Sequence, residues 1–191
     1  MADQPKKKGS KLFMLLKVFA FLFLALVLLF MGVGLFVLDG KYEFSRSTVI
    51  KADPDEVHKH VGDLRKWPAW LPFPKHDPSV KTTIDKPEGM GAHQHWTQNN
   101  MFGGESTGEL TFTSTNEDKG VEFDMLFDKE YKSKGALIYE KVADGTKVTW
   151  KMTGQNDGII GHWMALMMPS MAGTYFEEGL ADLKKAVEEK K

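Results

Sequence analysis

The strongest hydrophobic pattern lies at the end of the chain. Met168, Ala172, Phe176, Leu180, Leu183 and Val187 recur at three- and four-residue steps, the period of a helix with one apolar face. On a helical wheel these residues, with Tyr175, Gly179 and Ala186, fall within about 140°. Glu177, Glu178, Lys184, Lys185 and Glu188 lie opposite. The pattern predicts a helix over residues 169–187 that needs a broad apolar surface to rest on. Residues 42–154 read as alternating strands, so the predicted partner is the face of an antiparallel sheet curved around the helix, an α+β fold. Gly179 sits on the apolar arc, where the missing Cβ costs about 1 kcal/mol against Ala but allows a close approach.

Residues 12–38 are a different pattern, an apolar run of 27 positions with one charge, Lys17, near its start. The run exceeds the roughly 20 residues a bilayer core requires, so it is read as one transmembrane helix. Lys17 is near enough to the end to snorkel. A cleaved signal peptide has an apolar region of about 7–15 residues and a small-x-small site. This run is longer and ends Leu35-Phe36-Val37-Leu38, the mark of an uncleaved signal anchor. Lys6, Lys7, Lys8, Lys11 and Lys17 precede it and Asp39 follows, which puts the N-terminus in the cytoplasm. The expected organisation is a basic cytoplasmic tail (1–11), a membrane helix (12–38), a linker (39–41) and an extracytoplasmic domain (42–191), periplasmic or at the cell surface. With so short a linker the domain should sit against the membrane.

Within that domain, residues 42–52 read as a first strand with Ile50 inward. Asp53-Pro54-Asp55-Glu56 follows with an N-cap, a proline at the first helical position and a glutamate placed for a capping box. The short helix it starts carries Val57, Val61 and Leu64 and breaks at Gly62-Asp63. Trp67-Pro68-Ala69-Trp70-Leu71-Pro72 must then be a proline-limited turn or short helix. Asp144-Gly145 is a two-residue hairpin signal; it predicts Tyr139 opposite Trp150, Leu137 opposite Met152 and Glu140 opposite Thr149. A turn near Lys129 sets Met125 opposite Ser133, Phe123 opposite Gly135 and Asp124 opposite Lys134. The hairpin closed by residues 99–104 sets Trp96 opposite Gly108, Gln94 opposite Leu110 and Ala92 opposite Phe112, with His93, His95, Glu109 and Thr111 outside. A slip of one residue would reverse every assignment in that hairpin.

Charge changes the picture little. The net charge is −1, and the first 40 residues hold five Lys and two Asp, leaving −4 for the rest. No basic face for nucleic acid is advertised. There is no Cys, which excludes disulfides and thiolate chemistry.

The ordered motifs carry a resemblance. They are a strand ending Ile50-Lys51-Ala52, then Asp53-Pro54-Asp55-Glu56-Val57, Asp63, Trp67-x-x-Trp70, Gly89-x-Gly91 before the strand with Trp96, Gly145-Thr146-Lys147-Val148-Thr149-Trp150, and Phe176-Glu177-x-Gly179-Leu180-x-x-Leu183-Lys184. Over residues 42–189 the chain resembles the START-like SRPBCC superfamily, in particular its polyketide cyclase/dehydratase-like branch. That resemblance implies a helix-grip fold, an antiparallel sheet gripping a long C-terminal helix around a cavity. Members range from lipid carriers to aromatase/cyclases, so it implies a cavity rather than one activity.

The expected cavity lining from the sheet is Gln94, Trp96, Leu110, Phe112, Phe123 and Met125 on the earlier strands and Ser133, Leu137, Tyr139, Trp150 and Met152 on the later ones. The helix adds Met168, Phe176 and Leu180. Met164, Met167, Met168 and Met171 recur at helical spacing and suit an adaptable apolar surface. Met101 and Phe102, flanked by Asn99-Asn100 and Gly103-Gly104, are a candidate gate. His93-x-His95 points two imidazoles one way with Glu109 as the available third ligand, but on a solvent face they read as solvated histidines, not a metal site. His58-x-His60 on a helix points in two directions. No catalytic motif stands out. The function read is therefore membrane-anchored binding of a hydrophobic small molecule or lipid, with no chemistry and no cofactor. One alternative is a cyclase/dehydratase-like enzyme using Gln94, Ser133 or Tyr139. The other is a protein-interaction module with a filled core.

Overall fold

The computed structural model describes residues 9–100 and 103–189. Helix α1 (Gly9–Phe36) leads by residues 37–40 into β1 (Lys41–Ile50), followed by α2 (Pro54–Val61), a 3-10 turn (Leu64–Ala69) and α3 (Phe73–His76). Six strands succeed them: β2 (Lys81–Lys86), β3 (His93–Asn99), β4 (Glu105–Asn116), β5 (Gly120–Phe127), β6 (Tyr131–Val142) and β7 (Gly145–Gln155). Helix α4 (Gly158–Glu188) closes the chain. The seven strands form one antiparallel sheet in the order β1-β7-β6-β5-β4-β3-β2, so the meander returns β7 to pair with β1. Alternation along β7, with Val148, Trp150 and Met152 buried, gives the sheet one apolar face. Helix α4 lies on that face, with Phe176, Leu180, Leu183 and Val187 buried. This is the α+β helix-grip architecture.

Two hairpins have the predicted registers. Met125 faces Ser133 and Phe123 faces Gly135 between β5 and β6, and Trp96 faces Gly108 and Gln94 faces Leu110 between β3 and β4. The β6–β7 hairpin is shifted by two residues from its prediction: Leu137 faces Trp150, Tyr139 faces Val148, Gly135 faces Met152 and Glu140 faces Lys147. A shift of two leaves every side chain on its predicted face. The cause is Gly145, whose φ is +130°. It pairs with Val142, leaving Ala143 and Asp144 as the turn, and it packs where a Cβ would strike the Ile50 carbonyl of β1. The glycine serves contact with the neighbouring strand rather than the corner of the turn.

Three local expectations also change. Asp53 precedes α2 in extended geometry but its side chain makes no cap hydrogen bond, and it approaches Lys141 at 3.2 Å instead. Glu56 pairs with Lys59. The first strand ends at Ile50, with Lys51 and Ala52 in a bend. Helix α4 begins eleven residues before Pro169, which lies inside the helix. The proline marks no start because the uncharged residues before it continue the helix against α1. There Trp163 stacks on Phe30 at 4.7 Å, its Nε1 donates to the Phe30 carbonyl at 3.3 Å, and His162 Nδ1 lies 2.6 Å from the Gly34 carbonyl.

Candidate functional site

Between the gripping sheet and α4 the fold leaves a cavity of about 310 Å³, at the small end of the roughly 300–1,000 Å³ usual for ligand pockets. Its floor is Leu110, Phe123, Trp150 and Met152 of the sheet and Phe176 of α4. Trp150 stacks on Phe176 at 3.9 Å and meets Trp70 edge-on at 5.7 Å, which fixes both rings. Gly179 makes that arrangement possible: a Cβ there would lie 2.8 Å from the Trp150 ring and 3.1 Å from Pro72. The close approach read from the sequence is thus to an indole on the cavity wall.

The roof is the segment after α2. Trp67 Nε1 donates to the Val61 carbonyl at 2.8 Å and Trp70 Nε1 to the His60 carbonyl at 3.2 Å. Both indoles thereby satisfy carbonyls at the end of α2 that have no partner within the helix. Asp63 accepts from the Arg65 backbone N–H and side chain, and these bonds hold its carboxyl below the usual carboxylate range. Helix α3 is clipped to α4 by Lys75–Asp182 and by His76 Nε2 to Glu178 at 2.7 Å, and Phe73 stacks on Tyr175 at 5.2 Å. Trp67, Leu71, Phe73 and Pro74 therefore cover the cavity. Its rim is where lining residues reach solvent, at Phe73, Thr82 and Met171.

Of the residues expected to line the cavity, Gln94, Trp96, Leu110, Phe123, Met125, Trp150, Met152, Met168 and Phe176 surround this space. Phe112, Ser133, Leu137, Tyr139 and Leu180 do not, and for each the reason is packing. Phe112 lies under Trp67, 5.8 Å between centroids, and Phe123. Ser133 Oγ is hydrogen-bonded to the Tyr42 hydroxyl at 2.6 Å. Leu137 and Leu180 are fully covered. Tyr139 packs edge-on to His58 of α2, its hydroxyl buried without a hydrogen-bond partner among the described residues, and burial pushes its phenol far up. The candidate gate, Met101 and Phe102, lies outside the described residues.

The expected lining left out most of the roof and rim, namely Trp67, Leu71, Phe73, Pro74, Val80, Thr82, Gln98, Phe127, Ala172 and Tyr175, while Met171 of the methionine stripe does reach the rim. One signal was present. A stretch as apolar as residues 67–74, broken by three prolines, can be neither strand nor long helix and has to cover something.

The polar side chains on the wall are Thr82, Gln94, Gln98 and Tyr175, and among the described residues no carboxylate or imidazole lines it. His93 and His95 sit on the other face of the sheet. Their partner is Asp85 rather than Glu109: Asp85 Oδ2 lies 2.7 Å from His93 Nδ1 and 3.1 Å from His95 Nδ1. Asp85 is the extra residue of an irregularity between Ile84 and Lys86 in β2, which aims it at both rings. The two imidazoles hold its carboxyl below the usual range.

Residues 41–188 match the family model described as polyketide cyclase / dehydrase and lipid transport. The chain belongs to this family. Solved structures share the fold of the polyketide cyclase / dehydrase and lipid transport domain at low identity. Protein CV1439 from Chromobacterium violaceum is 13% identical over 78% of this chain and 99% of its own, with a TM-score of 0.59. SA2116 from Staphylococcus aureus is 12% identical over 78% and 94%, TM-score 0.60. The di-domain ARO/CYC StfQ from the steffimycin biosynthetic pathway is 10% identical over 78% of this chain and 52% of its own, TM-score 0.60. A search of curated proteins returns no match. The family domain here is preceded by a helix, Lys11–Phe36, long and apolar enough to cross a membrane.

Proposed function

We propose that this protein is a membrane-anchored binding domain that holds a hydrophobic small molecule or lipid in the cavity between sheet and α4 and does not transform it. The observation that carries the reading is the wall itself: indole, phenyl and thioether groups, with neutral polar groups alone to orient a ligand. Such a surface contributes burial, at about 25 cal/mol per Å² of apolar area removed from water. It offers no group that titrates near neutrality to move a proton. The family description, which joins cyclase and lipid transport, accommodates the reading. In this proposal α1 is the anchor, the N-terminal lysines stay in the cytoplasm and the domain lies on the opposite side.

The test is to purify the full chain in detergent, extract it with organic solvent and look for an apolar compound by mass spectrometry, alongside titration with a fluorescent fatty acid. A stoichiometric compound, or saturable uptake lost on filling the cavity, is the expected result. No compound and no uptake would overturn the reading. Conversion of a polyketide-like substrate by the same preparation would establish the enzyme alternative.

A further inference from the structure

Helix α4 has two unlike halves. Between Asp157 and Glu177 no residue is charged. In the first half Ile160, Met164, Met167 and Met171 are 72%, 51%, 54% and 57% exposed. They stand at i, i+4, i+7 and i+11, within about 60° on a helical wheel. An exposed, contiguous apolar stripe on a helical segment that holds no Asp, Glu, Lys or Arg marks an interaction surface.

Its flanks identify the partner. On one flank Trp163 stacks on Phe30 and Ile159 packs against Gly34, so the stripe runs on from α1. On the other flank Met168, Met171, Ala172 and Tyr175 line the cavity. The depth agrees. The apolar helix has 26 residues, Lys11–Phe36, about 39 Å at about 1.5 Å per residue, against a hydrocarbon core of roughly 30 Å. Counted from Lys11, about 20 residues reach the far boundary near Met31, beside the Phe30–Trp163 stack. Trp is the residue suited to that boundary.

We infer that the uncharged first half of α4 lies in the surface of the phospholipid bilayer beside α1, its stripe of Ile160, Met164, Met167 and Met171 among the lipids, so that the cavity rim at Met171 faces the membrane. The inference rests on the reading of α1 as the anchor. A ligand then passes between bilayer and cavity without crossing water.

The chain has no Cys, so one introduced thiol carries one fluorophore. Met164→Cys and Met167→Cys place it on the stripe, Phe23→Cys within α1 and Glu122→Cys on the exposed outer face of β5. All are solvent-facing positions in the protein alone, so none threatens the fold. Each labelled full chain is reconstituted in phosphatidylcholine vesicles and quenched from the lipid by spin-labelled phosphatidylcholine or from water by iodide. Lipid quenching at 164 and 167 should exceed that at 122 by at least about twofold, with iodide quenching correspondingly weaker. Labels at 164 and 167 that answer to iodide like 122, with 23 quenched from the lipid, overturn the inference and leave the anchor standing. Labels shielded from both quenchers mean that protein, a second copy or another chain, covers the stripe, which also overturns it. A label at 23 that lipid does not quench removes the anchor and the inference together. Ligand extraction decides the binding reading separately.

Discussion

Single residues hold the cavity open and set how the domain responds to acid. Replacing Gly179 with Ala adds up to about 1 kcal/mol of helix propensity. It also drives a methyl into the Trp150 ring, at about 1–3 kcal/mol for overpacking. Because Trp150 is locked between Phe176 and Trp70, the packing term should win. Gly179→Ala is expected to lose about 1 kcal/mol, read as a lower urea midpoint with unchanged slope. His58 and His60 are both held below the ordinary 6.5, chiefly by burial. The unfolded chain therefore takes up protons that the folded chain refuses, and stability is full above about 6.5 and falls as pH drops through and below it. Asp63, Asp77 and Asp85 are lowered from 3.8 and lose their contribution only in more acidic solution. His58→Gln, which keeps a partner for Thr115, should flatten the fall in urea midpoint between about pH 7.5 and 5.5. An unchanged slope would show that His58 is already free to protonate in the fold. At this scale Gly179 was legible from its place on the apolar arc but Asp85 was not, since its meeting with two histidines depends on an irregularity in a strand, Lys81–Lys86, with one apolar residue.

The elements were legible where their period was pure. The apolar arc of α4 after Pro169 and the alternation in β5 and β7 define helix and sheet faces, and the sign of each face survived even where the β6–β7 register moved by two. What could not be seen is how far α4 extends. Before Pro169 its residues are apolar on several faces, since one side meets α1, another the cavity and a third is exposed, so no amphipathic period is present. Pro169 also removes the N–H that would bond the Ala165 carbonyl, a defect of about 3 kcal/mol in an ordinary helix interior. Pro169→Ala should raise the thermal midpoint of the full chain in detergent, by about 2–4 °C for each kcal/mol recovered. A midpoint that stays or falls would show that the helix is built around the defect.

For the whole molecule, the strand pattern located the cavity's floor, while its roof came from residues 64–76, which no periodicity describes and which tertiary bonds hold in place. Ala172 lies half-buried on the wall, so Ala172→Phe should fill the space with the fold intact. Binding of a fluorescent fatty acid should weaken at least about tenfold, while His95→Ala on the far face changes nothing. Equal effects of the two would place the ligand elsewhere.

Residues 37–40 are the only covalent link between α1 and the sheet, and the Asn156 backbone N–H donates to the Gly40 carbonyl at 3.0 Å. On the proposed reading of α1 as an anchor, a domain so joined has no swing: it would spin about the membrane normal and drift sideways but not reach outward. Under that proposal, an acceptor of any bound ligand would have to be met by collision within the plane of one membrane, and the traffic would be lateral.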